Sequence, residues 1–219
     1  MTGAVLFDWR GTLVTTLGQR DWIEQALRAL DRDRSRAAVD GGVAAIGRAD
    51  GAEDRLDAPG VDCDVALHRR TYLEVFADAG LDAELGRALY AVESDLRHNR
   101  FAIDVPETFA ALRARGVRIA VVSDIHVDLR PAFAAAGLGG LVDVFTLSFE
   151  QGVQKPDPRM FTRTLAALGV DPEEALMVGD RSRPDGAAVE SGIPTLLLPP
   201  LRSAEDRRLH HVLTLCGVG

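Results

Sequence analysis

The hydrophobic pattern changes period twice along the chain. Ala4-Val5-Leu6-Phe7 is a run of four apolar residues, too short for a helix, and predicts a strand buried on both faces. It stops at Asp8 and a Gly11-Thr12 turn, so a carboxylate leaves the sheet at the strand's carboxyl end. From about residue 14 to 100 the spacing becomes helical: Trp22, Ile23, Ala26, Leu27 and Leu30; then Val65, Tyr72, Leu73 and Phe76; then Leu85, Leu89, Val92 and Leu96. Asp50-Gly51 and Ala58-Pro59-Gly60 punctuate it, and Asp31 to Arg36 reads as a solvated helix end or turn. His68 and His98, isolated in this segment, read as surface or packing residues.

From residue 104 strands and helices alternate. Helices are expected after Pro106, closing at Gly116, over Pro131 to Ala136, through Met160 to Leu168 before Gly169, near Pro184 to Gly192, and over 203 to 215. Strands are expected at Val117 to Val122, Val144 to Leu147, Leu176 to Val178 and Thr195 to Leu198. This alternation predicts an α/β fold: a Rossmann-like parallel sheet with helices on both faces, plus a helical bundle inserted after the first strand. The expected domains are a discontinuous core of 1–13 and 101–219 and a helical insert of 14–100.

A chain of 219 residues with 47% hydrophobic and 26% charged residues can bury a real core. The net charge of −8 argues against nucleic acid or an anionic membrane as partner. No apolar run of spanning length or basic-then-apolar leader stands out, so a cytoplasmic protein is expected, a monomer or homodimer. Cys63 and Cys216 have neither metal spacing nor a disulfide framework and read as structural thiols. Among 25 basic residues the only lysine is Lys155. Coding bias toward arginine explains the rest, and a lysine surviving that bias points to a need for a compact ammonium.

Asp8, Ser123, Lys155 and Asp180 all follow strand carboxyl ends, with Asp185 one helical turn beyond Asp180. A parallel sheet brings such ends to one edge. Carboxylates gathered there repel unless a cation sits among them, and an oxygen donor set favours Mg²⁺. A divalent ion beside an ammonium suits a phosphate, and a remaining carboxylate can attack phosphorus to give an aspartyl-phosphate. Taken singly, each residue is equally at home as a turn or cap residue.

The ordered set resembles the haloacid dehalogenase superfamily. Asp8 with Gly11-Thr12 is similar to its first motif, Ser123 after Val121-Val122 to its second, and Lys155-Pro156-Asp157-Pro158 to its third. Gly179-Asp180 with Asp185 is similar to its fourth, and 14–100 to the cap many members insert after the first motif. The resemblance implies Asp8 as nucleophile, with Ser123 and Lys155 also catalytic. It implies phosphate binding by Thr12, Ser123, Asp124 and Lys155, and Mg²⁺ held by Asp8, the Arg10 backbone carbonyl, Asp180 and Asp185. The implied substrate is a small phosphorylated metabolite.

One position departs from the pattern. Phosphatases of this superfamily carry a second aspartate where this chain has Arg10, and that aspartate is the general acid and base. Arginine stays protonated below a pH of about 12 and can do neither task. Arg10 is expected instead to join the catalytic residues by pairing with a phosphate or a substrate carboxylate, and activity to be slow or restricted to good leaving groups. Asp124 and His126, the latter equally suited to a helix start, are the candidate stand-ins. A fold that binds phosphate without turnover is the competing class, and dehalogenation, which needs no acid, the third. Phosphonoacetaldehyde hydrolysis is disfavoured because the insert contains no lysine for a Schiff base.

Overall fold

The computed structural model describes residues 2–218. Five parallel strands form one sheet: β1 (Ala4–Phe7), β2 (Arg118–Ser123), β3 (Val144–Leu147), β4 (Ala175–Gly179) and β5 (Thr195–Leu197), in the order β3-β2-β1-β4-β5. Each strand lies within a residue or two of its expected bounds. Leu6 of β1 is level with Ala120 on one side and Met177 on the other, so β1 is central. The chain winds outward to β3 and then restarts beyond β1 at β4. The carboxyl ends of β1 and β4 therefore flank the point where the strand order reverses, where open α/β sheets bind ligands.

Both faces of the sheet are covered. Val5, Phe7, Ile119, Val121 and Val178 face a cluster that includes Phe109, Leu112, Phe133 and Val212. Ala4, Leu6, Ala120, Val122 and Met177 face Met160, Phe161, Leu165 and Leu168. Two-sided burial explains why the strands read as unbroken apolar runs. Each fully buried aliphatic or Phe side chain contributes roughly 1.5–3 kcal/mol relative to exposure.

The chain leaves this core near Val14 and returns at Phe101, where the two residues form an antiparallel bridge. Between them stand α1 (Gln19–Ala29), α2 (Arg36–Asp50), α3 (Val65–Asp78) and α4 (Ala83–Glu93), packed on their own cluster of Trp22, Ile23, Leu27, Phe76 and Leu89. The Trp22 indole N–H donates to the Leu89 carbonyl at 2.9 Å. Helix α2 was not legible in the pattern. Only Val39 and Ile46 are buried on it, and its contact with α1 uses glycine: a Cβ at Gly42 would lie 3.2 Å from Ile23. The acidic-basic run before it is a turn, ending in Ser35, whose hydroxyl caps α2 by accepting the Ala38 N–H.

The remaining helices are α5 (Val105–Ala114), α6 (Arg130–Ala135), α7 (Ser148–Gln151), α8 (Pro158–Leu168) and α9 (His210–Leu215). The expected helix after Pro184 is instead a 3₁₀ helix over Gly186–Ser191. The expected 203–215 helix is confined to α9, because Ser203 to Leu209 is an irregular segment whose N–H groups bond Asp104 and Asp206. Among the described residues no helix is long and apolar enough to cross a membrane. Cys63 and Cys216 are free thiols.

Candidate active site

Asp8 follows β1 directly, and its backbone N–H still donates to the Val178 carbonyl at 2.9 Å, so its position is set by the sheet. Asp180 follows β4 beside it. Between the two strand ends the chain has no room for side chains. A Cβ at Gly11, whose φ is +81°, would lie 2.4 Å from an Asp180 carboxylate oxygen, and one at Gly179 would lie 2.3 Å from the Asp185 carboxyl carbon. Only glycine permits this backbone and this approach.

Lys155 lies at the centre. Its Nζ donates to Asp8 Oδ1 and to Asp185 Oδ1, both at 2.6 Å, and only 1% of the residue is exposed. Burial alone would lower the pKa of this ammonium, but Asp8, Asp185 and Asp124 together outweigh burial and raise it. Burial pushes Asp8 up despite Lys155. Asp185 also feels burial, but Lys155 and the Arg181 N–H hold it below the usual carboxylate range. Its Oδ2 accepts the backbone N–H groups of Asp180 and Arg181, at 3.1 and 2.9 Å. Burial, then Asp8 and Asp185, push Asp180 up to about 6. Thr12 Oγ1 sits 3.2 Å from both Asp8 Oδ2 and Asp180 Oδ1 and can donate to one at a time.

Asp8, Asp180 and Asp185 each place a carboxylate oxygen within 4.8 Å of the others. Their donor set is oxygen alone. The raised pKa of Asp180, due to burial first and then to repulsion from Asp8 and Asp185, is a strain a divalent cation would relieve, so the residues fit a hard ion of the Mg²⁺ kind. The bridge between Arg10 and Val14 uses the Trp9 carbonyl and the Gly11 N–H and leaves the Arg10 carbonyl out.

A cavity of about 240 Å³ opens onto this cluster, bordered by Asp8, Ser123, Asp124 and Asp180 from the core. Ser123 Oγ makes only a 3.5 Å contact, to the Asp124 carbonyl, so its hydroxyl is free for a ligand. Asp124 Oδ1 accepts the Lys155 backbone N–H at 2.8 Å, and burial pushes the carboxyl to about 6. Asp8, Thr12, Ser123, Asp124, Lys155, Asp180 and Asp185 therefore meet at one sheet edge.

One expectation gains a partner and one needs correction. Arg10 borders the same cavity, but its NH1 is 2.5 Å from Glu93 Oε1 and its NH2 3.0 Å from the Glu93 carbonyl, at the end of α4. It pins the helical insert to the first loop. His126 neither starts a helix nor borders the cavity; it is buried, its Nε2 is 3.0 Å from Ser94 Oγ, and its ring stacks on His68 with centroids 3.5 Å apart.

The helical insert and the loops supply residues that no motif marked. Asp57, Asp62, Tyr72 and Glu93 border the cavity from the insert, and Arg181 from the loop after β4. Arg181, next to Asp180, could have been suspected from adjacency; the others carry no signal in sequence. Arg208, from the segment before α9, donates to the Thr12 carbonyl at 2.7 Å and to the Gly11 carbonyl at 3.3 Å. Arg208→Ala is expected to cost about 1.5–3 kcal/mol in urea unfolding through loss of these charged hydrogen bonds.

A fold of this order, with this acidic edge and one buried lysine, defines a hydrolase of the haloacid dehalogenase type. The family model for haloacid dehalogenase-like hydrolases matches residues 2–191, and the chain belongs to that family. It is 36% identical over 139 residues to a phosphoserine phosphatase of Thermus thermophilus, covering 60% of this chain and 55% of that protein. It is 32% identical over 205 residues to a plasmid-encoded phosphoglycolate phosphatase of Cupriavidus necator, covering 89% of this chain and 80% of the relative. Several of the curated relatives are thus spanned over only about half their length. Among solved structures, a 2-haloacid dehalogenase from Pseudomonas syringae superposes with a TM-score of 0.67 at 24% identity, each chain covered to 99%. A HAD phosphatase from Thermococcus onnurineus gives 0.65 at 24% identity, covering 100% of this chain and 99% of that one. At that identity the likeness is one of fold.

Proposed function

We propose that the protein is a Mg²⁺-dependent phosphatase acting on a small phosphorylated metabolite through an aspartyl-phosphate at Asp8. The observation that carries this reading is the buried Lys155 ammonium 2.6 Å from both Asp8 and Asp185, beside a third carboxylate. A lone carboxylate among others attacks poorly; one held by an ammonium at the mouth of a cavity is aimed and charge-balanced. Mg²⁺, held by Asp8, Asp180, Asp185 and the Arg10 carbonyl, would supply charge neutralisation for the incoming phosphoryl group. The Ser123 hydroxyl and Lys155 orient the phosphoryl oxygens, and Thr12 keeps the first loop in register with Asp180. Residues 14–100 act as a cap over the core of 1–13 and 101–219, and exclude water from the cavity. The phosphatases among the relatives support the same class of reaction.

The experiment is phosphate release from a panel of phosphate esters and acyl phosphates with Mg²⁺ or with a chelator. Release that requires the metal is expected. Halide release from a haloacid without added metal, and no phosphate release, would replace the reading by dehalogenation.

A pH effect follows from Asp180. With its carboxyl at about 6, the group is protonated at pH 5 and must lose that proton to bind the ion. Calorimetric Mg²⁺ affinity should therefore rise between pH 5 and 7, by at most about tenfold per unit below the pKa, and level off above it.

A further inference from the structure

Resting on the phosphatase reading, we propose that Asp62 of the helical insert does the proton transfers that Arg10 cannot. It gives a proton to the leaving oxygen and later takes one from the attacking water. The cavity of about 240 Å³ is only a few water diameters across, and Asp8 and Asp62 both border it. A phosphorylated molecule seated on Asp8 therefore presents its leaving group toward the insert, where Asp62 stands.

Elimination among the cavity's other acids leaves Asp62. Glu93 is committed to Arg10 at 2.5 Å. Asp124 takes the Lys155 N–H and lies 3.6 Å from Arg181 NH2, while Asp57 is largely exposed and 3.5 Å from Arg181 NH1. Asp180 belongs to the metal cluster. Tyr72 is pushed well above 10 by burial, so it could donate a proton but not accept one from water. Among the described residues no hydrogen-bond donor reaches the Asp62 carboxyl. The imidazoles beside it are His68, Nε2 at 3.6 Å, and His126, Nδ1 at 4.0 Å.

Both imidazoles stand beyond hydrogen-bond distance of the carboxyl. Burial, with each other or Arg10 nearby, lowers His68 to about 3 and His126 to about 4, so both are neutral. His68 Nδ1 faces the Tyr90 hydroxyl at 3.3 Å and His126 Nε2 faces Ser94 Oγ. His126 Nδ1 has no hydrogen-bond partner. Burial, then Asp124, with smaller contributions from Asp57 and Glu93 and against Arg10, push Asp62 to about 7. The residue is also held in place: its carbonyl accepts the Ser148 hydroxyl of α7 at 2.7 Å, and Gln154 accepts the Gly60 N–H at 2.7 Å. The 3₁₀ turn Val61–Cys63 is thereby fastened to the core.

The steps balance. Asp8 forms a bond to phosphorus, the ester P–O bond breaks, and its electron pair takes the proton of Asp62, releasing an alcohol. The Asp62 carboxylate then takes a proton from water as the water oxygen bonds to phosphorus. The P–O bond to Asp8 breaks, phosphate leaves, and Asp62 is again protonated.

The test compares wild type, Asp62→Asn and Asp8→Asn at saturating Mg²⁺ on glycerol phosphate, an unactivated alkyl ester, and acetyl phosphate, whose leaving group needs no proton. Asp62→Asn should lower kcat/KM on glycerol phosphate on the order of a hundredfold or more, and on acetyl phosphate less than about tenfold. In wild type, kcat/KM for the alkyl ester should fall above about pH 7, where the donor is lost, and that limb should be absent for acetyl phosphate. This second measurement needs no variant and decides the matter if Asp62→Asn does not fold. Equal losses on both substrates, or a wild type active on acetyl phosphate alone, overturn the role of Asp62 and leave the phosphatase reading standing. A wild type that releases phosphate from neither, or an Asp8→Asn as active as wild type, overturns that reading and this role with it. One equivalent of Zn²⁺ retained in excess Mg²⁺ and lost in His68→Gln would make Asp62, His68 and His126 a second metal site and overturn the proton-transfer role.

Discussion

Asp8→Asn should abolish turnover, lowering phosphate release by roughly four orders of magnitude or more, as removal of a covalent nucleophile does. The carboxamide keeps the shape of the side chain but is uncharged and a far weaker nucleophile toward phosphorus. Lys155 retains Asp185 at 2.6 Å, and the variant sheds one of three crowded carboxylates. Its folding stability should therefore stay close to that of wild type. Acid-quenched reaction mixtures should contain a phosphorylated protein for wild type and none for Asp8→Asn. A phosphorylated Asp8→Asn, or a variant that merely slows a few-fold, would show that another group carries the phosphoryl.

Lys155→Met should damage the fold as well as the reaction. Methionine is similar in volume and leaves Asp8 and Asp185 buried without their shared cation, a change that typically costs about 3–5 kcal/mol. Urea unfolding at pH 7 measures it. With the ammonium gone, Asp8 and Asp185 hold their protons to higher pH when folded than when unfolded, so they oppose folding above that range. The deficit should accordingly shrink as pH falls toward 5. Lys155→Arg keeps the charge but forces a larger, planar group into a fully buried position, and should cost about 1–3 kcal/mol without the same pH dependence. A Met variant as stable as wild type would show that the buried charges are balanced from elsewhere.

The two variants test different parts of one arrangement. Asp8 is aimed by the sheet, through its N–H on Val178, whereas Lys155 is brought in by the loop between α7 and α8. Asp8 and the Lys155 ammonium lie 147 positions apart, and their meeting at 2.6 Å is a product of topology. Arg10 shows the same dependence. In sequence it is a substitution that removes an acid, and its partner is unknowable. In the folded chain Glu93, 83 positions away, pairs with two of its nitrogens. An arginine held this way has part of its charge balanced by a carboxylate, and it fastens the insert to the loop while bordering the cavity.

The core was legible because its signals are local. Ala4–Phe7, Ala175–Gly179 and their neighbours are buried on both faces and so are apolar at every position, a pattern that no surface element shares. Asp8, Ser123, Asp180 and Asp185 follow those strands, and Lys155 stood out as the chain's single lysine. Helix α2 escaped because only Val39 and Ile46 are buried on it and a glycine, Gly42, makes its closest approach to α1, and the short 3₁₀ helix after Asp185 because its preceding residues are spent on the carboxyl of Asp185 itself.

By itself, then, the sequence determined the parallel sheet, the edge on which the acids and the amine gather, and the presence of a helical insert. These depend on burial period and on chain order, both written residue by residue. Only the tertiary structure decided which side chains of the insert face that edge. Asp62, Tyr72 and Glu93 are ordinary residues on amphipathic or irregular segments, and nothing in their neighbours records which way the insert is turned. Long-range pairing, such as Arg10 with Glu93 or Ser148 with the Asp62 carbonyl, sets that orientation. It arises when two separately folded clusters meet, and a one-dimensional pattern carries no trace of it.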